Sequence, residues 1–417
     1  MSAAGGINAK ELNSSISGCL DAIALMQLVE RHAASFNFIH TSTALTRAAK
    51  LMQAPLSADE EDCIAQLIRV AGRQLGECDV RGIANMAWAL AKLNYKDTAF
   101  MQQLVQQAGV QLPRFDPQNT ANILWALARL GYEDKAFVQR LFANARAKVH
   151  EFNAQDVSNI LWAMAKLQHI AEDRQLVQQL ITHAHPELSD FTQQGLANTA
   201  WALATLRHYD LEFMEQLLQQ SMDKVAGFEP QHLSNTLWAL GTFGHNSPLF
   251  VDKAVRRLLS LGPKDINDQD LSNTLWALSM LQHNAQALAG PLFSAAQARF
   301  AAGAMDMHLS QMQRYFITMQ GAGHFSKQLR ASPQYSRLRY DCQAAFLREV
   351  DNDRLKIPRL VAAVMEELWK LPGCGGAQPV QLTEDQQLAM CIGVMLPCKT
   401  QVRLCNATLA ADLKSFQ

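Results

Sequence analysis

Charge of one sign is what this sequence most lacks. Its 417 residues carry 37 Lys and Arg against 38 Asp and Glu, a formal net charge of −1. A globally basic nucleic-acid binder is excluded, so any such contact must use local basic patches or neutral hydrogen-bonding groups. No apolar run approaches the ~18–20 residues that span a bilayer, and no membrane partner is expected. The eight cysteines include no CxxC pair. The spacing of Cys391, Cys398 and Cys405 does not suit zinc, and the cysteines read as buried free thiols of a reducing compartment.

Catalytic motifs are also missing. There is no P-loop, no GxGxxG after a strand, no HExxH and no GxSxG. The expectation is a protein with no catalytic residues, no metal and no cofactor, and not an enzyme. His183 and His185, which flank one Ala before Pro186, read as a helix end and not as metal ligands. The opening "MSAAGGINAKELNSSISGC" has neither an Arg-rich amphipathic character nor an apolar core. It points to a cytosolic chain or to one whose natural start is missing. Hydrophobic residues make up 49%, enough to bury a large core in two or three domains or in one long array.

What is present is a repeat. Six tryptophans fall at 88, 125, 162, 201, 238 and 276, at intervals of 37 to 39 residues. Such a period denotes a solenoid or array. Each has an Asn three residues earlier: Asn85, Asn122, Asn159, Asn198, Asn235 and Asn273. Four residues before the Asn stand Gln118, Gln155, Gln194, Gln231 and Gln269, with Arg81 in the first copy. Seven before it stand Phe115, Phe152, Phe191, Phe228 and Ile266. Ala and Leu dominate each motif, Pro or an acidic residue opens several, and Asn94, Gly131 and Gly244 follow the last apolar residue, so each motif is a capped helix. A second apolar segment follows, as in "DKAFVQRLFANA". The unit is a helical hairpin of about 38 residues, and hairpins of this kind stack into an all-α solenoid. Weaker copies at 36–51 and 307–319 bring the array to about eight units.

Around the motif helix, at about 100° per residue with the Asn at zero, the apolar positions two before, two after and five after the Asn form the core face. The positions one before and six after are always Ala, Ser or Gly, which lets neighbouring helices approach while the Trp fills the gap. The remaining sector holds the Gln, the Asn, an Ala four after the Asn, and two variable rows. One row, three before the Asn, reads Gly82, Asn119, Asp156, Gly195, His232, Asp270; the other, seven after it, reads Lys92, Arg129, Lys166, Thr205, Thr242, Met280. Packing would hold a position to one size, so variation points to a reading surface. Amides can bond base edges, and one unit per base is the logic of helical RNA-reading repeats. The candidate RNA-binding residues are therefore the six Asn, the five Gln, Asn119, Asp156, His232 and Asp270, with Lys92, Arg129 and Lys166 as phosphate contacts. The competing reading of the amides is a bridge between adjacent helices. His169, His208, His245 and His283 recur seven after the Trp, where Tyr95 and Tyr132 stand in other copies, which suggests packing at the turn.

The pattern Gln-x-φ-[Ala/Ser]-Asn-x-x-Trp-Ala-Leu-Ala-x-Leu-Gly over residues ~36–325 resembles the octotricopeptide repeat proteins and is similar to the repeats of the FAST-kinase-like, RAP-domain proteins. The resemblance implies a solenoid that binds single-stranded RNA of organelle transcripts or rRNA, in chloroplasts or mitochondria, in RNA processing, stability or translation, alone or within a ribonucleoprotein complex. It also implies a C-terminal RAP domain, of which residues ~360–417 resemble a degenerate α/β version lacking the Asp-Gly-Pro and the acidic cluster that metal-assisted hydrolysis needs. The expected organisation is an N-terminal helical region at 1–57, the solenoid at 58–325 and a C-terminal region at 326–417. The alternative function is a protein–protein scaffold that holds an extended peptide, as armadillo-type solenoids do.

Overall fold

The computed structural model describes residues 8–167, 173–262 and 266–281, with positions 291, 292 and 295. The RAP-like segment, the closing copy at 307–319, His169 and His283 lie outside them. The chain divides into two compact units, Met1–Phe228 and Glu229–Gln417. Fifteen α-helices and no strand occur among the described residues. The first unit is an all-α solenoid of hairpins: α1 (Ala9–Gly18) with α2 (Ala22–His32), α3 (Phe38–Leu51) with α4 (Ala58–Gln74), α5 (Val80–Leu93) with α6 (Thr98–Gln111), α7 (Pro117–Leu130) with α8 (Lys135–Ala147), α9 (Ala154–Lys166) with α10 (Arg174–Ala184), and α11 (Gln193–Thr205) with α12 (Leu211–Asp223). The second unit holds the hairpin of α13 (Pro230–Phe243) and α14 (Pro248–Leu261), then α15 (Asp268–Met280).

From α3 onward the odd-numbered helices carry the motif frame and pack on one another in sequence, α3 on α5, α5 on α7, α7 on α9 and α9 on α11, and in the second unit α13 on α15. The even-numbered return helices touch each other far less. The opening hairpin packs on the repeats that follow, α1 on α3 and α2 on α4. This adds a hairpin that the motif frame does not show, because α1 has neither the Asn nor the Trp. It is tied down by His40 Nε2, 2.8 Å from the Ala9 carbonyl, and by Arg47, which donates to the Cys19 carbonyl.

Helix ends follow a fixed chemistry. Side chains of Asp79, Asp116, Asn153, Thr192 and Asn267 accept from the third backbone N–H of their motif helices at 2.7–3.1 Å. Asp97, Asp134, Asp173 and Asp210 do the same for return helices at 2.9–3.0 Å. These contacts satisfy donors that a helix start leaves free. The motif helices α5, α7, α11 and α13 stop at left-handed residues, Asn94, Gly131, Arg207 and Gly244, with φ between 53° and 65°. The next residue, Tyr95, Tyr132, His208 or His245, then donates its N–H to the carbonyl five residues back. The Tyr/His row is thus the closing position of each helix.

The apolar rows are buried as the periodicity requires: Leu271, Leu275 and Leu278 are at most 1% exposed. The small rows are where the helices meet. A Cβ on Gly241, six after its Asn, would lie 3.0 Å from the Ala277 Cα and 3.1 Å from the Trp276 ring. The Ser234 hydroxyl, one before its Asn, donates to the Asp270 carboxylate at 2.5 Å. Ideal Cβ atoms on Gly82 and Gly195 would face Ser42 and Ser158 of the preceding motif helix at 3.9 and 3.6 Å. The rows one before and six after the Asn therefore receive, from the next helix, the rows three before and four after.

Two expectations are corrected by this interlock. The alanines four after the Asn, Ala89, Ala126, Ala163, Ala202, Ala239 and Ala277, are fully buried, so they admit the neighbouring helix and not a ligand. The row three before the Asn is buried as well: Asn119 is 4%, Asp156 5% and Asp270 3% exposed. Its variation does not mark a reading surface. It is the third residue of each helix, next to the cap and against the preceding helix. Asp156 accepts from the Asn153 N–H at 3.3 Å, and half-buried His232 accepts from the Glu229 N–H at 3.2 Å.

Two consequences are measurable. Arg207 occupies the left-handed conformation that glycine fills at Gly131 and Gly244. Arg207→Gly should raise stability by about 0.5–1 kcal/mol, read from the urea midpoint; an unchanged or lower midpoint contradicts this. Burial, opposed by the Ser234 hydrogen bond, raises the Asp270 pKa. The folded chain then keeps this proton where the unfolded chain has released it. The associated stability is present below the unfolded pKa and is lost as pH rises through the folded one. Asp270→Asn, which retains an acceptor for Ser234, should be more stable than the parent at neutral pH, with the gain vanishing in acid. A variant that is weaker at neutral pH would show that the charged form is the favoured one.

Candidate nucleic-acid interface

Packed against neighbouring motif helices of its own unit, each motif helix leaves one narrow stripe open. It holds the Gln, the Asn, the Trp and the row seven after the Asn, which fall within about 60° of one another at 100° per residue. Gln118, Gln155, Gln194 and Gln231 are exposed, and Gln269 is half-buried. Asn85, Asn122, Asn159, Asn198 and Asn235 are half-buried, and Asn273 is buried at 8%. Lys92, Arg129 and Lys166 are exposed on successive helices α5, α7 and α9. The structure thus brings together the Asn, Gln and basic rows and separates them from Asn119, Asp156 and Asp270.

The hydrogen bonds of the amides discriminate between their two readings. A bridge between helices would engage the Asn side chains with the protein. Among the described residues, the side chains of Asn85, Asn122, Asn159, Asn198 and Asn235 make no hydrogen bond to the protein, and neither do those of Gln118, Gln155, Gln194 and Gln231. Only in α15 do the rows bond each other, Gln269 Nε2 donating to Asn273 Oδ1 at 2.8 Å. The bridging task is done elsewhere. Side chains at the ends of return helices reach back to the carbonyl of the Phe row that opens their own hairpin: Gln74 to Phe36, Gln111 to Cys78, Lys148 to Phe115, His183 to Phe152 and Lys224 to Phe191. This ladder escapes sequence reading because its donors are Gln, Lys and His by turns, with no letter in common.

The tryptophans were expected to fill gaps between helices, and they do so at the surface, half-buried. Trp125 and Trp162 have ring centroids 6.2 Å apart, Trp162 and Trp201 6.5 Å, and, in the second unit, Trp238 and Trp276 6.1 Å. The Lys166 ammonium stands 4.9 Å from the Trp201 ring centre and 5.7 Å from that of Trp162. Burial, reinforced by the charge of Arg129, lowers its pKa. The Trp rows are thus part of the open stripe, beside the amides, and were missed as site residues because the helical wheel alone assigned them to packing.

Among the described residues no group of three or more His, Cys, Asp or Glu could hold a metal, and no helix is long and apolar enough to cross a membrane. Cys19, Cys63 and Cys78 are buried free thiols; burial pushes Cys63 and Cys78 up to about 11, which keeps them protonated and unreactive.

Comparison with known families addresses the same segment. Residues 62–173 match the family described as RNA-editing substrate-binding complex 6 protein, and residues 157–226 match FAST kinase-like protein, subdomain 1. No curated protein matches the chain. Both family matches fall within the first unit and cover the motif helices α5, α7, α9 and α11 with their stripe. Together the two matches span residues 62–226, and this part of the repeat array is similar to both families.

Proposed function

We propose that the protein binds single-stranded RNA along the motif-helix stripe and serves RNA processing as a binding component, without catalysing a reaction itself. The observation that carries this reading is the row of Asn and Gln side chains on one open face, with donors and acceptors that the protein leaves unused. An amide offers both a donor and an acceptor, the equipment needed for the edge of an unpaired base. Partners in a ribonucleoprotein assembly agree with the name of the family matched at 62–173. Work on organelle transcripts, in mitochondria or chloroplasts, follows from the family resemblance. Selectivity for sequence rests on the amide rows and on the spacing of one unit per base.

The test is the triple substitution of Asn122, Asn159 and Asn198 by Ala. These side chains bond nothing in the protein, so the variant should fold with a near-parental melting temperature. At about 1 kcal/mol per lost hydrogen bond, its affinity for an RNA selected from a random single-stranded pool should fall on the order of a hundredfold. A folded variant with parental affinity would remove the amides from the interface. If selection enriches no RNA and the chain instead retains an extended peptide in the presence of ribonuclease, the solenoid is a peptide scaffold.

A further inference from the structure

We propose that Lys166, set against the rings of Trp162 and Trp201, forms with Arg129 of the preceding motif helix a seat for a backbone phosphate of the bound RNA, and that this seat marks the electrostatic end of the track. The inference rests on the RNA-binding reading and adds to it where along the array the phosphate charge is held.

Three observations lead to it. First, both cations lack a counter-ion: among the described residues neither Arg129 nor Lys166 has a carboxylate partner or a side-chain hydrogen bond. Two adjacent unpaired cations repel each other, a cost that an arriving anion removes. Second, Lys166 is held in place. Two indole rings position the ammonium 4.9 and 5.7 Å from their centres, so little side-chain freedom remains to be lost when an anion binds. The lowered pKa of Lys166 has the same two causes, burial and the Arg129 charge, and a phosphate would offset both. Third, the cationic row ends here. Lys92, Arg129 and Lys166 occupy the position seven after the Asn on α5, α7 and α9, but on α11 that position is Thr205, whose hydroxyl donates to the Trp201 carbonyl at 2.9 Å. In the second unit Thr242 does the same with Trp238 at 2.9 Å. The amide rows continue past Lys166 while the positive charge does not.

A neutral hydroxyl already bonded to its own helix cannot hold a phosphate as a guanidinium or an ammonium can. The chemistry therefore assigns phosphate contact to α5–α9, strongest where Lys166 sits on the rings beside the charge of Arg129. A single-stranded RNA carries one phosphate per nucleotide and lies along the stripe, so it fits the seat without a dedicated pocket. The charge is local, in keeping with a chain whose net charge is −1.

The experiment measures the dissociation constant of the full chain for a mixed-sequence single-stranded RNA oligonucleotide across a range of salt concentrations. Four proteins are compared: the parent, Lys166→Met, Lys166→Arg and Lys135→Met. Met keeps an unbranched stem over the rings and removes the charge, Arg restores it, and Lys135 is an exposed cation on return helix α8. One phosphate contact contributes about 0.7 to the slope of log affinity against log salt for a single strand. Lys166→Met should lose about that much slope and weaken binding several-fold at low salt; Lys166→Arg and Lys135→Met should keep the parental slope. A parental slope for Lys166→Met, or an equal loss for Lys135→Met, overturns the seat while RNA binding stands. A parent that binds no RNA overturns the functional reading and the seat together.

Discussion

Close contact between successive motif helices is the constraint on which the rest of this structure depends. Small residues on one helix meet small or capping residues on the next, and a single added methyl on Gly241 would already crowd the backbone of Ala277. Glycine inside a helix costs about 1 kcal/mol relative to alanine, and the close approach explains why it is kept there. The same contact accounts for the alanines four after each Asn and for the buried third residue of each motif helix. It also explains why return helices, which touch one another less, carry Gln, Lys and Arg freely on their outward faces.

Packing this tight on both flanks leaves only a narrow face free, and its composition is uniform in kind along the array. Amides recur where nothing in the protein needs them, tryptophans lie half-buried beside them, and among the described residues the row seven after the Asn position is cationic on α3, α5, α7 and α9 only. The structural tasks that usually explain a recurring Asn, holding a neighbouring helix or satisfying a loop carbonyl, fall here to Gln74, Gln111, Lys148, His183 and Lys224. That division of labour leaves the stripe without a structural duty in hydrogen bonding. Neutral amides and a short cationic section also reconcile a nucleic-acid track with a chain of almost no net charge.

The opening of the array shows the same constraint relaxed. Hairpin α1–α2 stacks in place of a full repeat although it has neither Asn nor Trp, and Arg47 stands where the later repeats have Ala. Its guanidinium reaches over the short helix α1 to the Cys19 carbonyl. At this contact the small-residue rule weakens and polar ties replace it.

The sequence by itself determined the period, the hairpin unit, the helix ends and the core. Each of these depends on local chemistry: a 3.6-residue apolar pattern, side-chain caps, a left-handed residue at the stop. Those causes act within a few residues of chain and are visible in letters. It also determined the Asn, Gln and basic rows, because they repeat in register. Only the tertiary structure decided which of these rows remain open. A helical wheel gives the angle of Asp156 or Ala163 but not the width of the neighbour lying against it, and so both were assigned to the open sector and both proved buried. The Trp rows erred in the other direction, since the large apolar ring that suits a core sits here at the rim of the contact. The Phe-carbonyl ladder and the Lys166 seat were invisible for one physical reason: each joins residues about 30 or more positions apart, the ladder across a closed hairpin and the seat across two hairpins laid together.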